Sequence, residues 1–166
     1  NSAIVGAAVA SHINTEKSSS MGRLFDAVSA LLGIREYNSY EGECAIALEN
    51  AAARAIEKNA ALPELYFPIR EEEEILLADR TEIIRKIFRE TREAKTWYKE
   101  EERAEALALS FHEAVSCMVL EMCRRIRERF HEDKVALSGG VFANVILQER
   151  CRSLLEEQGF RVYVNE

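Results

Sequence analysis

The 166-residue sequence contains few chain breakers, with only seven glycines and two prolines. Long stretches without glycine or proline are typical of long helices. No apolar run approaches the roughly 20 residues that span a bilayer, so we expect no membrane segment. Residues 1–6 are apolar but carry no basic region ahead of them and no initiator Met. They do not form a secretory signal, and we expect the chain to be a piece of a longer one.

The sequence also lacks the spacings that hold structural metals. Its four cysteines form no C-x-x-C pair, and its three histidines are isolated from one another. This pattern excludes the usual zinc sites. It predicts buried, reduced thiols in a cytoplasmic protein at Cys44, Cys117, Cys123 and Cys151.

Positive charge is scarce as well. The 22 Lys and Arg residues are outnumbered by 29 Asp and Glu residues, which gives a net charge of −7. Such a surface repels phosphate backbones, so we expect no DNA partner and no nucleic-acid binding driven by bulk charge. The 48% hydrophobic content indicates a globular domain that buries about two-thirds of its unfolded surface.

Hydrophobic periodicity predicts four helices, over residues 24–32, 41–58, 82–95 and 101–130. An Ala-rich stripe marks the second of these helices, with Ala45, Leu48, Ala52 and Ile56. The stripe of the fourth helix consists of Leu107, Phe111, Val115, Met118, Met122 and Ile126. Between the second and third helices, the acidic run 70–74 predicts a turn or a solvated face, with no metal implied.

The last part of the chain changes character. Residues 135–137 and 161–164 predict strands, with a turn at 138–140 and a helix over 141–158 between them. This β-turn-α-β unit at 135–164 predicts parallel strands. We therefore predict a helix-rich α+β fold whose sheet is supplied mostly by other sequence. Its open edges should allow the isolated chain to dimerise.

The turn after the first of these strands is a candidate nucleotide site. Gly139 and Gly140 would let backbone amides approach a ligand without a Cβ in the way. The helix that follows adds partial positive charge, and Asn144 could hydrogen-bond a base or an anionic oxygen. A tight structural turn explains the glycines equally well, because no complete phosphate-binding motif is present.

Two further segments carry candidate binding residues. Gly22, Arg23 and Asp26 combine a flexible turn, a cation and a carboxylate, which could hold a ribose hydroxyl or a phosphate. Alternatively, Arg23 and Asp26 pair across one helical turn. Near the start of the Ala-rich helix, Glu41 and Glu43 complement the helix dipole.

The histidines offer no readable nucleophile–base pair. His112 lies beside the apolar stripe of the fourth helix. A histidine in that position is more often a satisfied core residue than a base.

Taken together and in order, four strings resemble a known family. They are Ser-Ser-Met-Gly-Arg-Leu-Phe-Asp-Ala-Val at 19–28, Tyr-Glu-Gly at 40–42, Phe-His at 111–112 and Ala-Leu-Ser-Gly-Gly-Val-Phe-Ala-Asn at 136–144. They resemble the HypF-type carbamoyltransferases that mature [NiFe]-hydrogenases, in the carboxyl-terminal carbamoyltransferase region. The resemblance implies an actin-like ATPase (ribonuclease H-like) fold, shared with enzymes that make threonylcarbamoyladenosine on tRNA. It predicts one fragment of that domain over 1–166, with a helical portion at 21–130 and a nucleotide-loop portion at 135–166.

The family's chemistry is implied with the resemblance. Carbamoyl phosphate and ATP form a carbamoyl-adenylate, and the carbamoyl group passes to a carboxyl-terminal cysteine of a partner protein. The partner then dehydrates the group to the cyanide ligand of the hydrogenase iron.

The resemblance also implies roles for residues of this chain. Gly139, Gly140 and Asn144 match the nucleotide-contacting loop, together with Ser138. Asp26 and Gly42 match positions that face the adenosine ribose in the tRNA-modifying enzymes. Glu43 and Glu49 are weaker carry-overs, and His112 matches a family position to which no role is assigned. Arg23 is a further candidate for binding, and no catalytic residue is assigned.

The chain departs from the family pattern in its metal ligands. The family binds a divalent metal through closely spaced upstream histidines and an Asp in a later P-x-D-G-G-like segment, and neither is present here. The implied cofactors are ATP with Mg²⁺ and a metal whose ligands this chain lacks. We therefore expect the isolated chain to be inactive.

Two other functional classes remain as alternatives. One keeps the fold but changes the acceptor, as in an O-carbamoyltransferase or a tRNA threonylcarbamoyladenosine-type transferase. The other is a non-enzymatic helical interaction module whose Gly-Gly turn is only structural. The strings at 21–27 and 40–42 favour the hydrogenase branch, and the acidic surface argues against a tRNA acceptor. Nucleotide binding that depends on Asn144 would exclude the interaction module.

Overall fold

The computed structural model describes residues 2–13, 18–93 and 100–164. Parts of two predicted segments lie outside them: the helical portion at 21–130, within its helix at 82–95, and the nucleotide-loop portion at 135–166. The described residues form six α-helices, one 3₁₀ helix and two two-stranded sheets. The predicted helix-rich α+β class is confirmed. The helices are α1 Ser2–Ala10, α2 Met21–Leu31, α3 Glu43–Glu57, α4 Arg80–Glu93, α5 Glu100–Phe130 and α6 Val145–Glu157.

Helix α5 forms the centre of the core and packs mainly against α3 and α6. Its first turn is acidic and its last turn carries Arg127 and Arg129, so both ends complement the helix dipole. The predicted stripe is buried from Leu107 to Met118, but Ile126 is 44% exposed where the helix runs beyond the core. By length and hydropathy alone α5 could cross a membrane, although the sequence analysis predicts no membrane segment. Because 61% of its most apolar window is buried inside the protein, α5 is a core helix.

Helix α3 presents a face of small side chains to α5. Leu48, Ala51, Ala52 and Ala55 are fully buried, which allows the two backbones to approach closely. The predicted stripe was wrong at Ile56, which is 50% exposed. The buried face runs through positions 44, 48, 51, 52 and 55, and at 3.6 residues per turn this places residue 56 outside it.

A buried ion cluster joins α3 to α5. Glu105 on α5 is 1% exposed. Its two carboxylate oxygens accept hydrogen bonds from Arg54 Nε at 2.7 Å and Lys58 Nζ at 2.5 Å. Burial raises the pKa of Glu105, but the hydrogen bonds from Lys58 and Arg54 outweigh burial and hold it below its usual value. The carboxylate is therefore charged at neutral pH.

The acidic run forms a hairpin, where the sequence predicted only a turn or a solvated face. Strand β1, Ile69–Glu72, pairs antiparallel with β2, Ile75–Ala78. Glu73 and Glu74 connect the strands with φ values of 48° and 71°. Two-residue hairpin turns of this kind favour Asn-Gly or Asp-Gly, so two glutamates give no such signal.

The carboxyl-terminal strands, β3 Lys134–Leu137 and β4 Arg161–Val164, pair in parallel with α6 between them. The predicted helix over 141–158 was wrong at its start. Gly140–Ala143 form a 3₁₀ helix, and α6 begins only at Val145. The reason is Asn144, whose Oδ1 accepts a hydrogen bond from Leu147 N at 2.9 Å and caps the helix there.

The four thiols are free, as predicted, but they are not all buried. Cys44 and Cys151 are buried, Cys123 is half-buried and Cys117 is exposed, so the prediction was wrong for Cys117. Burial raises the pKa of Cys151 to about 11. A thiol with so high a pKa is unreactive at neutral pH.

Candidate functional site

Segments that are far apart in the sequence meet in one open cavity of about 1170 Å³. Its walls are the start of α2, the loop at 38–42, the first turns of α3 and the 140–144 turn. Six of the residues predicted for the site line it: Arg23, Asp26, Gly42, Glu49, Gly140 and Asn144. Four others lie outside the lining: Ser138, Gly139, Glu43 and His112.

The α2 wall begins with a serine cap. Ser20 Oγ accepts a hydrogen bond from Arg23 N at 3.4 Å, as expected for an N-cap. Arg23 Nη1 lies 3.5 Å from Asp26 Oδ2, so the two residues do pair across one helical turn. Both also line the cavity, and the pairing and binding interpretations are therefore compatible.

Asp26 carries an unused acceptor. Its Oδ1 is buried and has no hydrogen-bond partner among the described residues. A buried polar atom without a partner costs roughly 1–3 kcal/mol. A donor such as a ligand hydroxyl would relieve that cost. Asp26 Oδ1 is therefore the atom of this wall that is best placed to accept a hydrogen bond from a ligand.

The loop wall is built by side-chain hydrogen bonds to the start of α3. Asn38 Oδ1 accepts from Cys44 N at 2.7 Å. Glu43 Oε2 accepts from Ser39 N at 2.6 Å and from Ser39 Oγ at 2.8 Å. The Ser39 amide is the main cause of the lowered pKa of Glu43. Glu43 therefore shapes the loop, while Gly42, with a φ of 81°, turns the chain into the helix.

Sequence reasoning gave no role to Asn38, Tyr40 or Ile46, although Tyr40 belongs to one of the strings that resemble the family. Tyr40 is 56% exposed and Ile46 is 45% exposed, and both line the site. No local signal marks Ile46, because single exposed aliphatic residues are common and Ile56 of the same helix is 50% exposed outside the cavity. Asn38 gives no signal either, since it acts on an amide six residues away.

The start of α6 is already occupied by protein groups. Glu49 Oε1 accepts hydrogen bonds from Val145 N at 2.6 Å and from Ile146 N at 3.4 Å. The amide of Leu147 is bonded to Asn144. The sequence predicts that the N-terminus of this helix attracts a phosphate. The structure corrects that prediction, because the Glu49 carboxylate of α3 already accepts hydrogen bonds from the first amides of the helix.

The two glycines of the turn differ in what they require. Gly139 has a φ of 94° and a ψ of 163°, a conformation that L side chains rarely adopt. Gly140 has no such constraint, and a Cβ there would meet nothing within 4 Å. Gly139 is therefore required by the backbone conformation of the turn. Gly140 lines the cavity, and its backbone conformation does not require a glycine.

His112 is the satisfied core histidine that the sequence predicts. It is fully buried, and its Nδ1 lies 2.7 Å from the Ala108 carbonyl oxygen. Its Nε2 lies 2.9 Å from Asn144 Nδ2. Burial lowers the pKa of His112, so the ring is neutral at physiological pH.

The charges lining the cavity are mostly negative. Arg23 is the sole Lys or Arg of the described lining, against the carboxylates Asp26, Glu41 and Glu49. Within the described ranges, no group of three or more His, Cys, Asp or Glu side chains could hold a metal ion. The residues present therefore do not fit the family's metal site.

The family of the chain is decided by comparison with known proteins. Residues 1–166 match the family model described as "Carbamoyltransferase, Kae1-like Domain, second subdomain". The chain belongs to this carbamoyltransferase family.

Relatives named HypF support the same assignment. "Carbamoyltransferase HypF" of Synechocystis sp. is 32% identical over 144 residues, which is 86% of this chain and 16% of that protein. The Rhodobacter capsulatus protein of the same name is 33% identical over 156 residues, 89% of this chain and 17% of that protein. The predicted membership of the HypF type is confirmed.

Two solved structures are similar to the chain. A crystal structure of full-length HypF in the phosphate- and nucleotide-bound form matches with a TM-score of 0.82 and 32% identity, covering 98% of this chain and 20% of that one. HypF of T. kodakarensis matches with a TM-score of 0.69 and 29% identity, over 98% of this chain and 19% of that one. The chain therefore spans a fifth or less of the length of these relatives.

Proposed function

We propose that this chain is part of an ATP-dependent carbamoyltransferase of [NiFe]-hydrogenase maturation and forms one wall of its nucleotide site. The observation that carries the proposal is the convergence of three separately predicted segments on one cavity. At about 1170 Å³, the cavity is slightly larger than the roughly 300–1,000 Å³ usual for ligand pockets, which leaves room for a nucleotide. The proposed host fold is that of the actin-like ATPases, in a cytoplasmic protein.

Different lining residues contact different parts of the nucleotide. Asp26 accepts a hydrogen bond from a ribose hydroxyl, which satisfies its unpartnered Oδ1. Tyr40 and Ile46 offer exposed apolar surface on which a purine ring packs. Gly140 leaves room for the phosphates to approach the backbone.

The charge of the cavity requires a cation with the ligand. A triphosphate would face three carboxylates and only one guanidinium, and like charges at close range repel. Mg²⁺ bound to the phosphates offsets this repulsion. We therefore expect nucleotide affinity to depend strongly on Mg²⁺.

The proposed reaction proceeds through carbamoyl-adenylate. Hydrolysis of carbamoyl phosphate gives carbamate and phosphate, and a carbamate oxygen then attacks the α-phosphorus of ATP and displaces pyrophosphate. The thiolate of a partner protein's carboxyl-terminal cysteine attacks the carbamoyl carbon. A C–S bond forms, the C–O bond to the adenylate breaks, and AMP leaves with the electron pair of that bond. The residues of this chain bind and orient the nucleotide, and the metal ligands belong to other sequence.

A substitution at Gly140 tests the nucleotide wall. In the full-length protein that contains this chain, Gly140→Leu should reduce Mg²⁺-ATP affinity by at least about tenfold, which is roughly 1.4 kcal/mol. Gly6→Leu is the matched control, because a Cβ at Gly6 also meets nothing within 4 Å and Gly6 lies outside the cavity. Unchanged affinity in Gly140→Leu would contradict the proposal.

The reaction itself is tested by carbamoyl-phosphate-dependent exchange of pyrophosphate into ATP, together with transfer to a thiol acceptor. The proposal predicts exchange and transfer in the wild type. Asn144→Ala should lose transfer while exchange persists, because another part of the protein forms the adenylate. Absence of exchange in the wild type would favour an O-carbamoyltransferase, a tRNA-modifying relative or an interaction module.

A further inference from the structure

Helix α5 contributes none of the described cavity lining, yet one of its side chains touches two of the cavity walls. The His112 ring lies edge-on to the Phe25 ring of α2, with centroids 5.2 Å apart. Its Nε2 lies 2.9 Å from Nδ2 of Asn144, which caps α6 and lines the cavity. A fully buried polar ring between two walls is placed to fix one wall relative to the other.

We propose that His112 is a positioning residue of the site: it fixes the Asn144 amide and, through it, the start of α6 and the Gly140 turn. Its effect on a ligand rests on the proposed nucleotide-binding function. Its effect on the wall does not, because the contacts that carry it are within the chain.

The orientation of each group in this chain of contacts follows from the one before it. A carbonyl oxygen only accepts, so the Ala108 carbonyl requires the proton of the neutral ring to be on Nδ1. Nε2 is then an acceptor and takes an N–H of the Asn144 amide. The amide oxygen consequently faces Leu147 N, where it caps α6. A flipped amide would place its oxygen against the Nε2 lone pair and its NH₂ against an N–H.

A second contact, from α3, holds the same wall. Glu49 of α3 accepts the amides of Val145 and Ile146. The first three amides of α6 are therefore bonded by side chains, and the Asn144 side chain is itself fixed by α5. Helices α3 and α5 both contact the wall this way, so the cavity has a defined shape before any ligand arrives.

A filling role in the core is the competing explanation, and two substitutions separate it from positioning. His112→Phe keeps a ring against Phe25 but removes the acceptor for Asn144. His112→Gln restores an acceptor oxygen. Phe111→Leu is the control, because Phe111 is a fully buried neighbour on α5 that packs against Phe25 and makes no hydrogen bond to Asn144.

The experiment uses the full-length protein and two measurements: Mg²⁺-ATP affinity, and hydrogen exchange of the amides at 145–147. His112→Phe should speed exchange at these amides and weaken ATP binding, each by about tenfold, in line with the loss of one buried hydrogen bond. His112→Gln should recover most of both. Phe111→Leu should lower the melting temperature and leave both measurements near the wild-type values.

Each outcome supports or overturns the proposal. Unchanged exchange in His112→Phe overturns it, and so does faster exchange with wild-type ATP affinity, because the pair would then be structural only. If the wild type binds no nucleotide, the proposed function fails, while the exchange data still decide whether His112 fixes the wall. If His112→Phe does not fold, the ¹⁵N spectrum of the wild type decides: a proton on Nε2 of His112 overturns the proposal.

Discussion

Glu49 Oε1 and Val145 N lie 2.6 Å apart, although 96 residues separate them in the sequence. The bond places a carboxylate of α3 on the positive end of α6. Such a terminus is a ready anion site. In this protein, the chain's own side chain occupies it, and the remaining anion-binding capacity of the cavity lies with Gly140 and Arg23.

Glu49→Ala removes the carboxylate and should destabilise the protein by about 0.5–2 kcal/mol, the usual range for a lost helix cap. Glu49→Gln should cost less, because an amide oxygen still accepts from Val145 N. Urea unfolding of both variants measures the difference. Equal losses in the two variants would show that charge, and not the hydrogen bond, is what α6 requires.

Asp26→Ala should weaken Mg²⁺-ATP binding by about tenfold, a value typical of a lost hydrogen bond to a charged group. Arg23→Ala is the comparison, because it removes the ion pair and leaves the carboxylate. Isothermal titration gives the affinity and a thermal melt gives the stability. A result in which Asp26→Ala lowers only the melting temperature would favour a purely structural Arg23–Asp26 pair.

Glu105 should make the stability depend on pH in the acid range. Burial opposes the charged form, but hydrogen bonds from Lys58 and Arg54 hold the pKa of Glu105 below its ordinary value of 4.5. The unfolded chain therefore takes up this proton first as the pH falls, so the stabilisation is complete above about 4.5 and is lost below it. Comparison of unfolding free energies of wild type and Glu105→Gln between pH 7 and pH 3 checks this, and equal pH slopes would contradict it.

Alanine substitutions at the two glycines of the turn should reduce the free energy of unfolding by different amounts. Gly139→Ala should destabilise by about 1–3 kcal/mol, because a φ of 94° strains any residue with a Cβ. Gly140→Ala should cost little, since its φ is ordinary and the space is open. Chemical unfolding of the pair measures the difference, and an equal loss at both positions would show that the strain does not lie at Gly139.

Sequence periodicity locates the helices because each buries one face, and this works best for α5, which ends at the predicted residue, Phe130. The hairpin was missed because Glu73 and Glu74 make a turn that usually contains Asn or Gly. The start of α6 was misplaced because Val141 and Phe142 continue an apolar pattern, while the cap at Asn144 decides the boundary.

For the candidate site too, some residues are predicted by local sequence and others are not. Local strings predict Asp26, Gly42 and Gly140, because all three lie in strings that resemble the family and the two glycines also lie in turns. Local strings do not show that Glu49 bonds α6 or that His112 holds Asn144, since both contacts join elements far apart in sequence. Those contacts depend on how the helices pack, which the residues near each site do not encode.

The measurement that tests the nucleotide site most directly is hydrogen exchange of the full-length protein with and without Mg²⁺-ATP. The account predicts slower exchange in three segments together: 20–26, 38–46 and 140–144. Exchange at the exposed helix α1 should not change. Slower exchange elsewhere, with all three segments unchanged, would contradict the assignment of this cavity as the nucleotide site.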